Sequence, residues 1–470
     1  MPSTLFDDLR EVPAAAPEAP VGVPRLDTPE RRALKLRPLA LDALLPSDHQ
    51  ARVVWRYVES LDLSALVDAV RSVEGRAGRP AIDPRLLLAL WLFATLDGVG
   101  SARQVERLCR EHLAYLWLCG DVEVGRTVLA AFRVGHEAFL DELLTKSVAS
   151  LRVKGLVTLE RVAQDGLRVR ASAGAGSFRR EARLQAALDE ARAQVSALKS
   201  EVDIDPGTSD RRKEAARTRA AEEREARLAA ALQQMPEVEA AWVRNQRKRG
   251  QGRGGKGGAS GAAPAGRTTG TTPTPAPTKA SAPRASSTDP DARVMKMGDG
   301  GYRPALNCQL VTDVHSRVVV AVDVDNVGSD AGLHEGLVAD VEERYGTVPA
   351  EWLVDAGFPT LATVQSMPDG CALIAPVMAP RDPRRDPHAP LPGDPPAVAA
   401  WRERMGTAAA KATYRLRAAS AELVNAHVRN RGLYQFPVRG RRRANCVLLL
   451  HAIAHNVVRA HAIERNVATA

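Results

Sequence analysis

The sequence predicts an α/β protein in which an all-helical region precedes a sheet that is flanked by helices and interrupted by a helical insertion. Three observations predict this class. Residues 37–155 carry apolar side chains at helical spacing, short strand-like runs occupy 156–177 and resume from 293, and a charged helical stretch at 178–245 separates the two sets of runs. The sheet would therefore be assembled from segments that lie far apart in the chain.

Composition limits the classes of protein that this chain can represent. At 470 residues it is long enough for about three domains of ordinary size. Hydrophobic residues make up 45% of the chain but aromatic residues only 4%, so the core must consist mainly of Leu, Val and Ala. The net charge of +9 favours a polyanionic partner, with nucleic acid preferred over a membrane surface.

Cysteine usage and the lack of an evident targeting segment predict a cytoplasmic protein. The five cysteines are scattered, and their odd number argues against a disulfide framework, so reduced thiols are expected. No apolar run approaches the roughly 20 residues of a membrane span. The acidic start MPSTLFDDLR does not resemble a signal peptide. We therefore expect no membrane partner.

The N-terminal third is predicted to be a flexible arm followed by helices. Residues 1–36 are rich in Pro, Ala and charged side chains, a composition typical of flexible segments. One helix is expected to begin at Pro84 with Asp83 as its N-cap. Further helices are expected after Ser101 and near Arg126. Helix-turn-helix DNA binding and simple packing or dimerisation explain this all-helical domain equally well.

The stretch 178–245 is predicted to form an antiparallel helical hairpin. Its first helix has a coiled-coil seam, and a break follows at Pro206-Gly207 before the second helix at 211–235. The seam consists of Leu184, Leu188, Ala191, Val195 and Leu198. A solvated helical spacer is preferred here over a DNA-contacting or dimerising arm. The basic, Gly- and Pro-rich residues 246–292 are predicted to be a disordered linker.

Alternating and short apolar runs predict the strands of the sheet. Leu167 and Val169 alternate with arginines, which places Asp165 in the middle of a strand. Later strands are expected at 306–313, 317–324, 352–355 and 372–377, and helices at 331–345 and 361–367. The apolar run 352–354 predicts a short buried strand with Asp355 at its end. A carboxylate in that position is costly unless a cation pairs with it.

The last 70 or so residues are predicted to be largely helical and basic. Tyr414, Arg417, Glu422 and Arg429 are expected on one helical run, in which Tyr414 shares a face with Arg417, and Glu422 with Arg429. Arg417 and Glu422, five residues apart, are less direct neighbours. The dense basic cluster beyond them, interleaved with Tyr434 and Phe436, suits contact with a nucleic-acid backbone. Its members are Arg429, Arg431, Arg439, Arg441, Arg442 and Arg443.

Asp165, Asp355 and Glu422 are the acids that we expect to meet in space. Carboxylate oxygens are hard ligands that suit Mg²⁺ or Mn²⁺, and two such ions can promote an in-line displacement at phosphorus. Other acids compete for this role, although an Asp in a hairpin or turn usually caps the backbone or is solvated. The competitors are Asp313, Asp323, Asp325 and Asp330.

Four motifs in this order resemble the DDE transposases of bacterial insertion sequences. They are VAQDGLRVRASAG at 162–174, DARVMKMGDGGYRPALNCQLVTD at 291–313, EWLVDAGF at 351–358 and YRLRAASAELVNAHVRNRGL at 414–433. The helical segment GRPAIDPRLLLALWLFATLDGVGSARQVERL at 78–108 also resembles the N-terminal domain of this group. The likeness covers nearly all of residues 37–465.

The resemblance implies a fold, a site and an activity. The fold would be an RNase H-like mixed sheet flanked by helices, built from 156–177 and 293–465, behind a helical DNA-binding domain at 37–155. Asp165, Asp355 and Glu422 would be the catalytic, Mg²⁺- or Mn²⁺-binding triad. Tyr414, Arg417 and Arg429 would be the DNA-contacting residues around the glutamate. Arg429 departs from the Lys common in the family, and Arg is a planar fork rather than a point charge.

The substrates implied are double-stranded DNA, both the terminal inverted repeats of an element and target DNA, with self-association on DNA at the bacterial nucleoid. Cleavage of the ends would be followed by joining of the freed 3′-hydroxyl to the target. Two alternatives stay open at this stage. One is a catalytically silent repressor or architectural protein, and the other is a general nuclease with the same core.

Overall fold

A computed structural model describes residues 40–73, 80–204, 211–253, 282–380, 382 and 384–469. The predicted arm at 1–36, the break at Pro206-Gly207 and most of the predicted linker lie outside these residues. Both ends of the linker range are structured, because a helix continues to Arg253 and residues 285–286 pair in a small sheet. Only 254–281 of that range lies outside the described residues.

The described residues of the N-terminal region form seven α-helices. Local capping explains where the third of them begins. Asp83 accepts a 2.8 Å hydrogen bond from the backbone amide of Arg85, and Pro84 is the first helical residue, as predicted. The predicted start near Arg126 is also confirmed. The helices are α1 (Gln50–Glu59), α2 (Ser64–Asp68), α3 (Pro84–Leu96), α4 (Ala102–Glu111), α5 (Leu113–Cys119), α6 (Arg126–Gly135) and α7 (Glu137–Val153).

Helix α3 is a core helix, whereas α4 faces solvent. Ten consecutive residues of α3, from Leu86 to Thr95, are buried, so this helix has no free face for DNA. The indole of Trp91 is fully enclosed and donates a 2.9 Å hydrogen bond to the carbonyl of Leu129. Truncation of such a side chain to Ala typically costs about 3–5 kcal/mol. Arg103 on α4 is exposed.

The sheet is mixed, and its strands come from both sides of the helical insertion. The strands are β1 (Arg161–Arg170), β2 (Phe178–Arg179), β3 (Ala285–Ser286), β4 (Arg293–Lys296), β5 (Tyr302–Asp313), β6 (Val319–Asp325), β7 (Glu351–Leu353) and β8 (Ala372–Ile374). The main sheet has the order β4-β5-β1-β7-β8, and β6 pairs with β5 beside β4. β5 runs antiparallel to both β1 and β6, whereas β1, β7 and β8 run parallel.

The described part of the insertion between β2 and β3 contains three helices. They are α8 (Glu181–Ile204), α9 (Arg211–Gln233) and α10 (Met235–Arg253). The predicted seam is confirmed, because Leu184 and Leu188 of α8 are buried in a small core of their own. Leu228 and Met235 belong to the same core. The base of the hairpin is closed by the two-stranded sheet of β2 and β3.

The rest of the chain completes the layers around the sheet. Its helices are α11 (His334–Tyr345), α12 (Leu361–Gln365), α13 (Pro396–Gly406), α14 (Ala408–Arg415), α15 (Leu423–Asn430) and α16 (Arg441–Thr469). The long α16 packs against β6 and against α1, α3, α6 and α7, so it joins the N-terminal helices to the sheet. The burial of Ile453 and Leu449 places this helix in the shared core.

Helix α16 also has the length and apolar composition of a segment that could cross a membrane. The stretch concerned is Arg441–Val467, and 67% of its most apolar window is buried inside the protein. The central helix of a folded core passes the same test of length and composition. Asn456 fits that role, because its side chain bonds both the amide and the carbonyl of Val319 in β6, at 2.8 and 2.7 Å.

Candidate active site

The register of two parallel strands places Asp165 beside Asp355. Ala163 of β1 is opposite Leu353 of β7, an offset of 190 positions. The same offset puts Asp165 opposite Asp355, two positions beyond that last pair. Neighbouring strands lie about 4.8 Å apart, so the two carboxylates emerge at adjacent points of the same sheet edge. Asp355 is exposed, although residues 352–354 before it are buried.

Arg417 joins Asp165 to Glu422. One guanidinium nitrogen donates a 2.8 Å hydrogen bond to Asp165 Oδ1, and the other donates a 2.6 Å bond to Glu422 Oε1. The Arg417 side chain is only 8% exposed, against 19% for Asp165 and 52% for Glu422. The charge of Asp355 also acts on Arg417. Arg417 is therefore bonded to two of the three predicted acids and interacts electrostatically with the third.

A π-helical turn explains why Arg417 and Glu422 meet. Residues Ala418–Glu422 form this turn between α14 and α15, and the amide of Glu422 bonds the carbonyl of Arg417 at 3.3 Å. This is the i to i+5 bond of a π-helix, which stacks residues five apart. The expectation of one regular helical run was wrong here, and so was the expectation that these two residues are indirect neighbours. π-turns inside helices are frequent at functional sites.

Burial and charge act in opposite directions on the central ion pair. Burial raises the pKa of Asp165 above its usual value, while Arg417, Asn425 and the amide of Gly166 favour its carboxylate form. Burial acts to lower the pKa of Arg417, but the surrounding negative charges outweigh it and raise that pKa, so Arg417 stays a cation. The pKa of Tyr414 is raised by its partial burial.

Asn425 is a site residue that the sequence interpretation missed. Its amide donates a 2.9 Å hydrogen bond to Asp165 Oδ2, the oxygen that Arg417 does not contact. Asn425 lies three residues after Glu422, and residues three apart on a helix share a face. That spacing was the available signal. With these bonds, Asp165 is fixed by three donors: Arg417, Asn425 and the Gly166 amide at 3.0 Å.

Gly166 allows a polar network to approach β1 directly behind Asp165. A Cβ added at Gly166 would lie 2.6 Å from Asp330 Oδ1 and 2.9 Å from Gln309 Nε2. Asp330 accepts hydrogen bonds from Asn307 at 2.8 Å and from Arg168 at 3.0 Å. A glycine at this position therefore leaves room for that close approach.

The competing acids have structural partners of their own. Asp313 is fully buried in the hairpin after β5 and accepts hydrogen bonds from the amides of Leu159 and Ser316 at 3.1 and 2.8 Å. Asp325 caps the turn through the amide of Val327 at 2.7 Å. Burial raises the pKa of Asp323. Asp313 and Asp325 therefore stabilise loops, as the sequence reasoning expected of acids in turns.

The predicted DNA-contacting arginines have different surroundings. Five of them are exposed: Arg429, Arg439, Arg441, Arg442 and Arg443. Arg442 pairs with Glu137 at 2.8 Å, and Arg441 donates to the carbonyl of Val324 at 3.0 Å. Arg431 is half-buried, with a guanidinium nitrogen 3.5 Å from Nδ1 of His455. Burial lowers the pKa of Arg431. The exposed members are thus the ones placed to meet a ligand.

An acid cluster at the edge of a mixed sheet, with arginines beside it, defines a site of the kind that handles phosphate esters. Residues 39–134 match the family model of a transposase domain (DUF772), and residues 396–461 match that of a transposase DDE domain. The two matches confirm the resemblance to DDE transposases that was found in the sequence. No curated protein and no solved structure matches the chain.

The matches lie in the N-terminal helices and in the C-terminal helices, and the strands of the sheet lie outside both. The first spans the N-terminal helices from α1 to α6, apart from the last residue of α6, and the second spans α13 to α15 and most of α16. Arg417, Glu422 and Asn425 lie in the second match, whereas Asp165 and Asp355 lie outside both. DDE transposase domains in general act on DNA and use divalent metal ions.

The three acids have the chemistry to bind a divalent metal ion, but their side chains are not positioned to hold one in this structure. Asp165, Asp355 and Glu422 offer the hard carboxylate oxygens that Mg²⁺ prefers. Among the described residues, however, no three His, Cys, Asp or Glu side chains are placed to hold one metal ion. Arg417 stands between Asp165 and Glu422 and supplies the positive charge that these acids require.

Proposed function

We propose that this protein is an active transposase that cuts the terminal inverted repeats of its element and joins the freed 3′-hydroxyl to target DNA. The observation that carries the proposal is the convergence of Asp165, Asp355 and Glu422 on one edge of the sheet. Stability alone does not explain this arrangement, because the largely buried Asp165 carries a desolvation cost and lies near two further negative charges.

The strand arrangement supports an RNase H-like catalytic fold. Three antiparallel strands, β6, β5 and β1, are followed across the sheet by the parallel strands β7 and β8. The first acid lies on the central strand and the second follows its parallel neighbour. The third comes from a helical segment that packs on β1 and β5.

The chain's own residues would divide the work at this site. Asp165, Asp355 and Glu422 would hold Mg²⁺ or Mn²⁺, which when bound activates the attacking oxygen and stabilises the leaving one. Asn425 and Gly166 orient Asp165. Exposed arginines, Arg429 among them, would bind the phosphates of the DNA on either side of the scissile bond. We expect this to occur in the cytoplasm, at the nucleoid, with two or more copies assembled on DNA.

The test is cleavage of duplexes that carry the terminal inverted repeats, in the presence of Mg²⁺. Asp355→Asn removes one charge from an exposed side chain, so the fold should be preserved while strand cleavage is lost. Asp165→Asn should behave in the same way, and both variants should still bind the ends. Asp325→Asn, at the end of β6 in the same sheet, is the matched control and should cleave normally. Undiminished cleavage by Asp355→Asn refutes the assignment.

A catalytically silent DNA-binding protein is the second candidate, and the Arg417 bridge favours it. A guanidinium already bonds two of the acids and balances part of their charge, so these two acids have a cationic partner without any metal ion. Binding of the ends without cleavage at any divalent ion would select this candidate.

A further inference from the structure

The helical insertion carries an arginine-lined groove that the catalytic proposal does not use. A cavity of about 680 Å³ between α8 and α9 is lined by Arg179, Arg183, Arg224 and Arg227, with Glu190 as the one acid. A second cavity, of about 230 Å³, is lined by Phe178, Arg179, Arg180, Arg183 and Arg284. The two cavities share Arg179 and Arg183, so together they form one continuous groove, which we call the insertion groove.

A rigid base positions the arginines of the insertion groove. Arg183 and Arg227 each immediately precede a buried core residue of the hairpin, Leu184 and Leu228. Arg224 lies three residues before Arg227 and therefore shares its face of α9. The backbone carrying these side chains is thus fixed by packing.

The groove has an excess of positive charge among the described residues. Of the four arginines that line the larger cavity, Arg224 pairs with Glu190 at 3.2 Å and Arg227 with Glu223 at 3.6 Å. The Nε atom of Arg227 is buried and has no hydrogen-bond partner. Like charges held together in this way are costly without a counter-anion, so the groove is a ready site for one.

The insertion groove continues into the C-terminal basic cluster. Burial lowers the pKa of Arg227, and the positive charges of Arg439, Arg224 and Arg443 add to that effect. Arg439 and Arg443, at the start of α16, are therefore electrostatic neighbours of α9. A path of cationic side chains thus leads from β2 and β3 through the hairpin to α16.

We propose that the insertion groove binds the phosphodiester backbone of double-stranded DNA. A row of connected cavities with arginines along it matches successive phosphates better than one small anion, and each neutralised phosphate releases condensed counterions. The proposal rests on the proposed function in taking DNA as the ligand. It replaces the expectation that the hairpin is only a solvated spacer.

The test is the salt dependence of DNA binding by the full chain without divalent metal ions. Fluorescence anisotropy would follow binding of a labelled duplex of about 30 base pairs and arbitrary sequence between about 50 and 300 mM salt. Arg183→Ala/Arg227→Ala should reduce the slope of log Kd against log salt by about 1–2 and weaken binding about tenfold at the lower salt. The matched control Arg217→Ala/Arg219→Ala changes two exposed arginines nearer the start of α9. It should leave both the slope and the affinity nearly unchanged.

Equal slopes for the two double variants would overturn the proposal. If Arg183→Ala/Arg227→Ala loses its folded circular dichroism signal, Arg179→Ala/Arg183→Ala provides the same test with exposed side chains only. Competition by inorganic phosphate at low millimolar concentration, with no change in the slope, would mean a site for a free anion and would also refute a DNA groove. Because this assay needs no cleavage, its result is independent of Asp355→Asn.

Discussion

Replacing Arg417 with alanine should destabilise the fold, because Arg417 bonds two of the clustered acids. Its bond to Asp165 joins side chains that are 8% and 19% exposed, whereas Glu422 is 52% exposed. A hydrogen bond to a charged group contributes about 1.5–3 kcal/mol, and an exposed ion pair about 0–1 kcal/mol. We therefore expect Arg417→Ala to lower the free energy of unfolding by about 2–4 kcal/mol.

Most of that loss should come from the Asp165 carboxylate, which is left without its cation. A double-mutant cycle separates this contribution from the others. Urea unfolding at neutral pH would be measured for Arg417→Ala, Asp165→Asn and the double variant. The double variant should be less destabilised than the sum of the single variants by at least about 1 kcal/mol, because it contains no buried carboxylate. Arg429→Ala, an exposed arginine nearby, is the control and should unfold like the wild type.

The pH dependence gives a second check on the same residue. Without Arg417, the pKa of Asp165 in the folded state rises further above its unfolded value of 3.8. The folded state then binds the proton more tightly, so stability falls as pH rises through this range. The deficit of Arg417→Ala should accordingly shrink on acidification. Strict additivity in the cycle, together with a deficit that does not change with pH, would refute the account.

Three further predictions follow from neighbouring features. Asn425→Ala should reduce strand cleavage and lower the unfolding free energy by about 1–3 kcal/mol, measured by urea titration, because Asp165 loses a donor. Gly166→Ala should destabilise by about 1–3 kcal/mol in the same assay, since its Cβ would meet a carboxylate, whereas the control Gly336→Ala in α11 should stabilise slightly. Burial lowers the pKa of His451 from 6.5 to about 3, so the unfolded state takes up the proton first and stability falls as pH drops below 6.5. His451→Leu should make that fall shallower by roughly 1 kcal/mol per pH unit in urea titrations at successive pH values.

The elements that the sequence predicted correctly are those fixed by local chemistry. Asp83 and Pro84 define a helix start through one hydrogen bond and one fixed dihedral angle, and both act within a few residues. The strands β5 and β6 and the helix α12 were likewise visible in short apolar patterns. The short strand before Asp355 was also visible as an apolar run.

What the sequence could not reveal depends on backbone geometry or on distant packing. On a regular α-helix, Arg417 and Glu422 would be about 140° apart around the axis, and only the π-turn aligns them. That turn packs on β1 and β5, and this contact is invisible in the local sequence. Arg431 looked like part of an exposed cluster, but His455 of α16 lies against it.

The position of α16 has a consequence for the distance along DNA between the recognised sequence and the point of cleavage. The helix is a single rod of 29 residues, and both the N-terminal helices and the sheet rest on it. Recognition of an end by the N-terminal helices and scission beside Asp355 would then be separated by a fixed span of protein. This fixed span predicts a constant number of base pairs between the recognised sequence and the nick. When the spacer in the DNA is lengthened, the nick should stay at the same distance from the recognised sequence and so fall within the spacer.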